Sequence, residues 1–195
     1  MDEVTGFALD AAAGDCVALQ RFVRATQAQV WRFCAHLGDT GDTGDADDLT
    51  QEVYLRAIKA LPRFRGDASA RTWLLAIART TVADHIRTLQ RRRAASTNAA
   101  ASARRTSTAA SAAVVAGPDE HVVLRAVIGQ LPVDRRTAFV LTQVLGLSYA
   151  EAAEVCRCPI GTIRSRVARS RAELVSAIAD EGEAGGDLSS SQLGG

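Results

Sequence analysis

Apolar residues recur every three to four positions through most of the chain, which is the spacing of amphipathic helices. The clearest stripe repeats every four residues at Leu49, Val53, Ala57 and Leu61, and it ends at Pro62, a residue that stops a helix. Long alternating runs of β-branched residues, which are typical of strands, are missing. The pattern predicts an all-α fold.

The first half of the chain predicts four helices. Apolar residues recur at helical spacing over residues 11–37, and a break near Gln27 would divide this stretch into two helices. A second unit covers residues 45–61, and a basic loop follows over 63–71. A further helix is expected from residue 72 to about 92.

The second half also predicts four helices, the first two over residues 119–130 and 134–145. Ser148 with Glu151 three residues later has the sequence of a capping box and starts the third. Pro159 and Gly161 mark a turn before the fourth, which is rich in arginine. Two short helices joined by about four residues are typical of a helix-turn-helix motif.

A stretch poor in bulky apolar residues separates the two halves. Its 23 residues, 94–116, include 11 alanines and 7 serines or threonines, which cannot anchor a core. We therefore expect two small helical domains over 1–93 and 118–179, joined by a flexible linker over 94–117. The acidic, glycine-rich tail over 180–195 is expected to be disordered.

Charge is distributed in blocks. The 195 residues carry a net charge of +1, but 61–93 carry +6 and 157–174 carry +4, while 1–60 carry −5. Two separated basic blocks predict two separated contacts with nucleic-acid phosphate. Apolar runs are too short to span a membrane, and the opening residues lack a basic leader, so we expect a cytoplasmic protein.

The arginine-rich helix is the candidate for duplex DNA. Its N-terminal Arg164 and Ser165 would reach base edges in the major groove, and Arg169 one turn later would reach bases or phosphate. The alternative is that these arginines form only a solvated helix face.

The basic loop of the first half places arginines beside Phe64, Trp73 and Ile77. Aromatic rings that stack on bases, together with arginines that hold phosphate, suit melted DNA. The alternative is that Trp73 and Ile77 are core residues.

The helix before that loop has an acidic outer side, which cannot hold DNA. It is either a solvated face or a protein-docking face, and its polar residues are Asp48, Gln51, Glu52, Arg56 and Lys59.

Catalytic and metal-binding patterns are not found. The three histidines, His36, His85 and His121, are scattered, and no histidine, cysteine and aspartate grouping has the spacing of a hydrolase or a metal site. Cys156 and Cys158 are expected to pack at the turn. The sequence therefore predicts neither an enzyme nor a cofactor.

Two strings resemble the extracytoplasmic-function sigma factors of bacterial RNA polymerase, and in particular an actinobacterial subgroup. They are DADDLTQEVYLRAIKALPRFRGDASARTWLLAIAR at 45–79 and LGLSYAEAAEVCRCPIGTIRSRVARSRAEL at 145–174. The resemblance implies a sigma-2 domain and a helix-turn-helix sigma-4 domain. It also implies a chain that docks on core RNA polymerase and directs promoter-specific transcription initiation.

The resemblance assigns roles by position. Docking on the clamp helices of the largest polymerase subunit would use Asp47, Asp48, Gln51, Glu52 and Arg56. Opening and reading the minus-ten element would use Phe64, Arg65, Gly66, Asp67, Trp73, Ile77 and Thr80. Reading the minus-thirty-five element would use Arg164, Ser165, Ala168 and Arg169. The family often has asparagine where Thr80 stands, and threonine has no amide to contact a base edge.

The implied partners are core polymerase, at its clamp helices and flap, promoter DNA in double-stranded and melted form, and an anti-sigma factor, with no membrane. Polymerase would hold the two DNA contacts at the right separation. A further hypothesis is that the acidic helices of the second half, or the acidic tail, fold back on the basic first half. The competing interpretation is a helix-turn-helix regulator that acts without polymerase docking.

Overall fold

A computed structural model describes residues 1–38, 43–101 and 127–186. Within those ranges the regular structure is helical and no strand occurs, so the predicted all-α fold is confirmed. None of the helices in the described ranges is both long and apolar enough to cross a membrane.

The first bundle contains four helices, α1 (Glu3–Ala12), α2 (Cys16–Leu37), α3 (Thr43–Ala60) and α4 (Ala70–Ala101). A 3-10 turn at Leu61–Arg63 ends α3 where the proline was expected to stop it. Helix α2 lies at the centre and packs against the other three. The apolar stripe that the sequence showed from Leu49 to Leu61 is buried and belongs to the core.

Two boundaries in the first bundle differ from the sequence prediction. The helical structure is interrupted at Gly14, which has a φ of +104°, and not near Gln27, where the sequence allowed a break, because α2 runs continuously through that residue. Asp15 caps α2 by accepting from the amides of Val17 (2.7 Å) and Ala18 (3.1 Å). Helix α1 is thus a separate element. Helix α4 extends to Ala101, nine residues past its predicted end, so the expectation of a flexible linker is wrong over 94–101, and 102–117 lie outside the described residues.

The second bundle begins with helical residues 127–130, and the predicted residues 119–126 lie outside the described ones. It continues with α5 (Val133–Phe139), a π-helical turn (Val140–Val144), α6 (Tyr149–Cys156) and α7 (Ile160–Gly186). The first seven residues of the predicted disordered tail therefore belong to α7, and 187–195 lie outside the described residues. Helices α5 and α6 both pack against α7.

The two bundles contact each other. Helix α4 packs against α6, and α2 packs against α5 and the π-helical turn. The Arg71 guanidinium, on the first turn of α4, donates to the Leu145 carbonyl (3.2 Å) and to Gln29 Oε1 (2.6 Å). This arrangement agrees with the hypothesis that the second half folds back on the first.

Candidate nucleic-acid and polymerase interface

Helix α6 begins with a complete capping box. The Ser148 hydroxyl accepts from the Glu151 amide (3.2 Å), and Glu151 Oε2 accepts from the Ser148 amide (2.8 Å). The hydrogen bonds from Ser148 lower the pKa of the Glu151 carboxyl, because they favour its ionised form. The predicted capping box is confirmed.

A tight turn then sets α7 across α6. Arg157 ends α6 in the left-handed conformation, with a φ of 52°, and Ala152 is fully buried, which lets the two helices approach closely. Ile163 and Val167 bury the inner face of α7. Burial raises the pKa of the Cys156 thiol to about 11, so this cysteine stays protonated and packs as expected. The result is the predicted helix-turn-helix arrangement.

The arginines of α7 divide into two groups. Arg166 donates to Asp134 of α5 (2.7 Å), and Arg171 donates to Gln143 (2.7 Å), so both are held against the bundle. Arg164 and Arg169 are exposed and form no hydrogen bond or ion pair with the residues that the structure describes.

The predicted minus-thirty-five residues share one exposed strip of α7. Arg164, Ser165, Ala168 and Arg169 follow the one-turn spacing that places side chains on one helix face. The Ser165 hydroxyl donates to the Thr162 carbonyl (3.0 Å) and keeps an acceptor free. The strip can therefore offer two guanidinium groups and one hydroxyl to a DNA groove.

The basic loop between the 3-10 turn and α4 is anchored by an aromatic pair. Phe64 is only 9% exposed, and its ring lies 5.0 Å from that of Trp73 at an angle of 44°. Gly66 has a φ of +76°, a conformation that favours glycine. Arg65 and Asp67 point into solvent on either side of it. Phe64 is thus a packed support for the loop rather than an open ring surface.

Helix α4 continues this surface. Trp73, Ile77 and Thr80 lie at the spacing of successive turns, and each keeps part of its side chain exposed. The Thr80 hydroxyl donates to the Ala76 carbonyl (3.0 Å), so its hydrogen is committed to the helix. Trp73 and Ile77 also pack on the core, so both interpretations of these residues hold in part.

The acidic side of α3 presents an apolar groove that the sequence analysis did not identify. Leu55 and Ile58 are 48% and 44% exposed and line it with Trp31 of α2. The Trp31 indole nitrogen donates to Asp47 Oδ1 (2.8 Å), and Gln51 borders the same groove. Leu55 and Ile58 are apolar residues outside the buried stripe of α3, and this sequence signal could have revealed the groove.

Glu52 and Arg56 lie on another side of α3, facing α4. Arg56 donates to Glu52 Oε1 (2.7 Å) and to Asp84 Oδ2 of α4 (2.9 Å), and Asp84 also pairs with Arg87 (3.1 Å). The sequence predicted that these side chains share one outward face with Asp48 and Gln51. In the structure, that face is divided between a solvent-facing groove and an ion-pair network.

No group of three or more metal-ligating side chains occurs among the described residues.

Comparison with known proteins identifies both halves. Residues 22–92 match the Sigma-70 region 2 family, and residues 121–174 match the Sigma-70, region 4 family. The ECF RNA polymerase sigma factor SigC of Mycobacterium tuberculosis is 52% identical over 175 residues, covering 90% of this chain and 91% of the relative. The ECF RNA polymerase sigma-E factor of Escherichia coli K12 is 35% identical, covering 64% and 69%.

Two solved structures share the fold, each at 25% identity. CnrH in complex with the cytosolic domain of CnrY aligns with a TM-score of 0.70, covering 92% of this chain and 99% of that one. RpoE in complex with the anti-sigma factor NepR from Bartonella quintana aligns with a TM-score of 0.63, covering 83% and 96%.

Sigma factors are transcription initiation factors rather than enzymes, and they bind core RNA polymerase, which decides against the helix-turn-helix regulator that acts without polymerase docking. The chain belongs to the extracytoplasmic-function sigma factors of RNA polymerase, with region 2 in its first bundle and region 4 in its second.

Proposed function

We propose that α3 docks this sigma factor on the clamp helices of core RNA polymerase, while the loop at 64–67 with α4 reads the minus-ten element and α7 reads the minus-thirty-five element. The protein would act in the cytoplasm. The observation that carries the proposal is the division of the α7 arginines, because Arg164 and Arg169 bond to none of the residues that the structure describes while Arg166 and Arg171 are held in the bundle.

The minus-thirty-five contact follows from that division. An exposed guanidinium can donate two parallel hydrogen bonds to guanine, the commonest specific contact in the major groove. A side chain already held by a carboxylate or an amide must first give up that bond. Arg164 and Arg169 are therefore better placed than Arg166 and Arg171 to contact the bases.

The minus-ten contact would combine an apolar wall of packed side chains, on which an unstacked base could lie, with a charged residue at its edge. The Phe64–Trp73 pair fixes the wall, and Ile77 adds an apolar surface beside it. Arg65 would hold a phosphate while an unstacked base lies against this wall. The Thr80 hydroxyl donates to its own helix, so it could offer only an acceptor to that base.

Docking would combine an apolar contact with polar ones. Leu55 and Ile58 supply exposed apolar area in the α3 groove, and Asp47 and Gln51 supply a polar rim. Apolar centres with polar rims are typical of protein interfaces. Glu52 and Arg56 would act indirectly, because Glu52 pairs with Arg56, and Arg56 joins α3 to α4 through Asp84.

The contact between the two bundles lies close to the proposed minus-ten surface. Arg71, which donates to the Leu145 carbonyl of the second bundle, is two positions from Trp73. We infer that the two bundles separate on the polymerase and that the part of the chain between α4 and the second bundle spans the gap. Small-angle scattering of the free chain should give a compact particle, and an extended particle would contradict the contact between the two bundles.

Because an anti-sigma factor accompanies one structural neighbour, a partner of that kind is proposed for this chain as well.

The docking assignment is tested by Asp48→Arg. Asp48 is exposed and lies beside Glu52 on α3. Charge reversal there should weaken binding to purified core polymerase at least about tenfold, because a like-charge or unpaired contact at an interface costs more than about 1.4 kcal/mol. Asp10→Arg, an exposed change of the same kind on α1, is the control and should bind like the unaltered chain. Equal binding by all three proteins would rule out α3 as the docking helix.

A further inference from the structure

Helix α1 lies outside the matched region 2, yet it contacts the start of α4. We propose that α1 positions the minus-ten reading surface, with Thr5 as the positioning residue, through hydrogen bonds that run from Asp2 to Thr5 to Ala70. The inference rests on the proposed minus-ten role of the loop and α4, and it adds a residue to that role.

The Thr5 hydroxyl is used in both directions. It accepts from the Ala70 amide (2.9 Å) and donates to Asp2 Oδ2 (2.6 Å). The Asp2 carboxylate also accepts from the Thr5 amide (3.0 Å), which caps α1. The hydroxyl hydrogen must point to the carboxylate, so a lone pair is left for the Ala70 amide. Donation thus runs in one fixed direction, from the Ala70 amide of α4 to Thr5 and from Thr5 to Asp2 at the start of α1.

Ala70 is the first residue of α4, where amide groups have no partner within the helix. The Thr72 amide is satisfied locally by the Ser69 hydroxyl (3.1 Å). The Ala70 amide has no such local acceptor, and both Ala70 and Thr5 are buried, at 0% and 3% exposed. Water cannot readily replace Thr5 there, so the first turn of α4 depends on α1.

The same helix also supports the loop. An added Cβ at Gly66 would lie 3.6 Å from the Leu9 side chain, so the left-handed turn of the loop runs along α1. Phe7 anchors α1 on α2, with the Arg21 guanidinium 5.8 Å from its ring centre. Helix α1 therefore contacts both parts of the proposed minus-ten surface and is itself held by α2.

The position of Trp73 follows from this contact. Trp73 is one turn after Ser69, and its amide donates to the Ser69 carbonyl (3.0 Å). Its ring faces Phe64 on the other side of the loop. Loss of the Ala70 bond would loosen the first turn of α4, and the wall for an unstacked base would lose its alignment.

The test uses reconstituted holoenzyme and a promoter that the unaltered holoenzyme selects from a random pool. Two fork probes carry its minus-thirty-five duplex and a single-stranded minus-ten tail, either intact or with scrambled tail bases. The ratio of the two affinities measures minus-ten reading alone. Thr5→Val removes the acceptor, and Thr5→Ser keeps it.

Thr81→Val is the matched control. Thr81 is 2% exposed, and its hydroxyl donates only to the Ile77 carbonyl of its own helix (3.0 Å). It reports the effect of losing a buried hydroxyl in the same bundle without touching the contact between α1 and α4.

We expect Thr5→Val to lower the affinity ratio about tenfold, comparable to the loss of one base-stacking contact. The affinity ratio of Thr5→Ser should stay within about twofold of that of the unaltered chain. The ratio of Thr81→Val should do the same, even if this variant loses as much melting temperature as Thr5→Val. A ratio that Thr5→Val lowers no more than Thr81→Val does would overturn the positioning role. A ratio near one for the unaltered chain would overturn the minus-ten assignment itself, and the inference with it.

Discussion

On α7, the side chains proposed to contact DNA stand on a helix-turn-helix whose cap and turn come from neighbouring residues. The loop at 64–67 and the start of α4 instead depend on residues far along the chain, since Thr5 and Ala70 are 65 positions apart. The first surface can change its DNA contacts without disturbing the fold. The second surface is partly core, so changes in base contact and in stability are coupled there.

The largest expected effect is a difference in the free energy of unfolding between a variant of the minus-ten surface and a variant of α7. Phe64→Ala should lower the free energy of unfolding by about 3 kcal/mol, because it removes a nearly buried aromatic ring. Arg164→Ala should change it by less than about 0.5 kcal/mol, because that side chain is exposed and makes no bond within the described residues. Denaturant unfolding of the free chain measures both. Similar losses in the two variants would show that the surfaces are built alike.

The next effect concerns DNA affinity. Arg164→Ala should weaken holoenzyme binding to a minus-thirty-five duplex about 10- to 100-fold, the worth of one bidentate contact with a base. Arg171→Ala removes the same charge from the same helix, but its guanidinium is held by Gln143, so its effect should be several-fold smaller. Fluorescence anisotropy with a labelled duplex gives both values. If the two variants lost equal affinity, general charge and not base contact would account for binding.

The smallest effect is a dependence of stability on pH. Because the pKa of Glu151 is lowered in the folded chain, its carboxylate stabilises the fold above the ordinary value of 4.5, and that contribution is lost as pH falls through the folded pKa. Glu151→Gln should remove this part of the acid sensitivity, about 0.5 kcal/mol for a cap so open to solvent. Melting temperatures between pH 5 and pH 3 test it. Parallel curves for the two proteins would mean that the capping box adds no pH-dependent stability.

Local signals predicted the helix-turn-helix well. The capping box needs only Ser148 and Glu151 at the right spacing, and the inner face of α7 follows from apolar periodicity at Ile163 and Val167. Periodicity could not show that Arg171 is held by Gln143, because that bond joins residues 28 positions apart. It is a tertiary contact with no local pattern.

The first bundle was harder to predict. Helix α1 was missed because the residues it buries, Thr5 and Ala8, are small or polar and leave no strong apolar stripe. Gly14 and Asp15 did carry a usable signal, a left-handed glycine before an N-cap. The division of the α3 surface could not be foreseen, since it depends on Asp84 of α4 reaching Arg56.

The central claim is that one chain reads two promoter elements together on the polymerase. Run-off transcription by core polymerase with the purified chain tests it on three templates, namely the selected promoter, the same promoter with its minus-ten element replaced, and the same promoter with its minus-thirty-five element replaced. We predict a defined transcript from the intact template and strong loss from each of the other two. No transcript from any template, or equal transcripts from all three, would contradict the account.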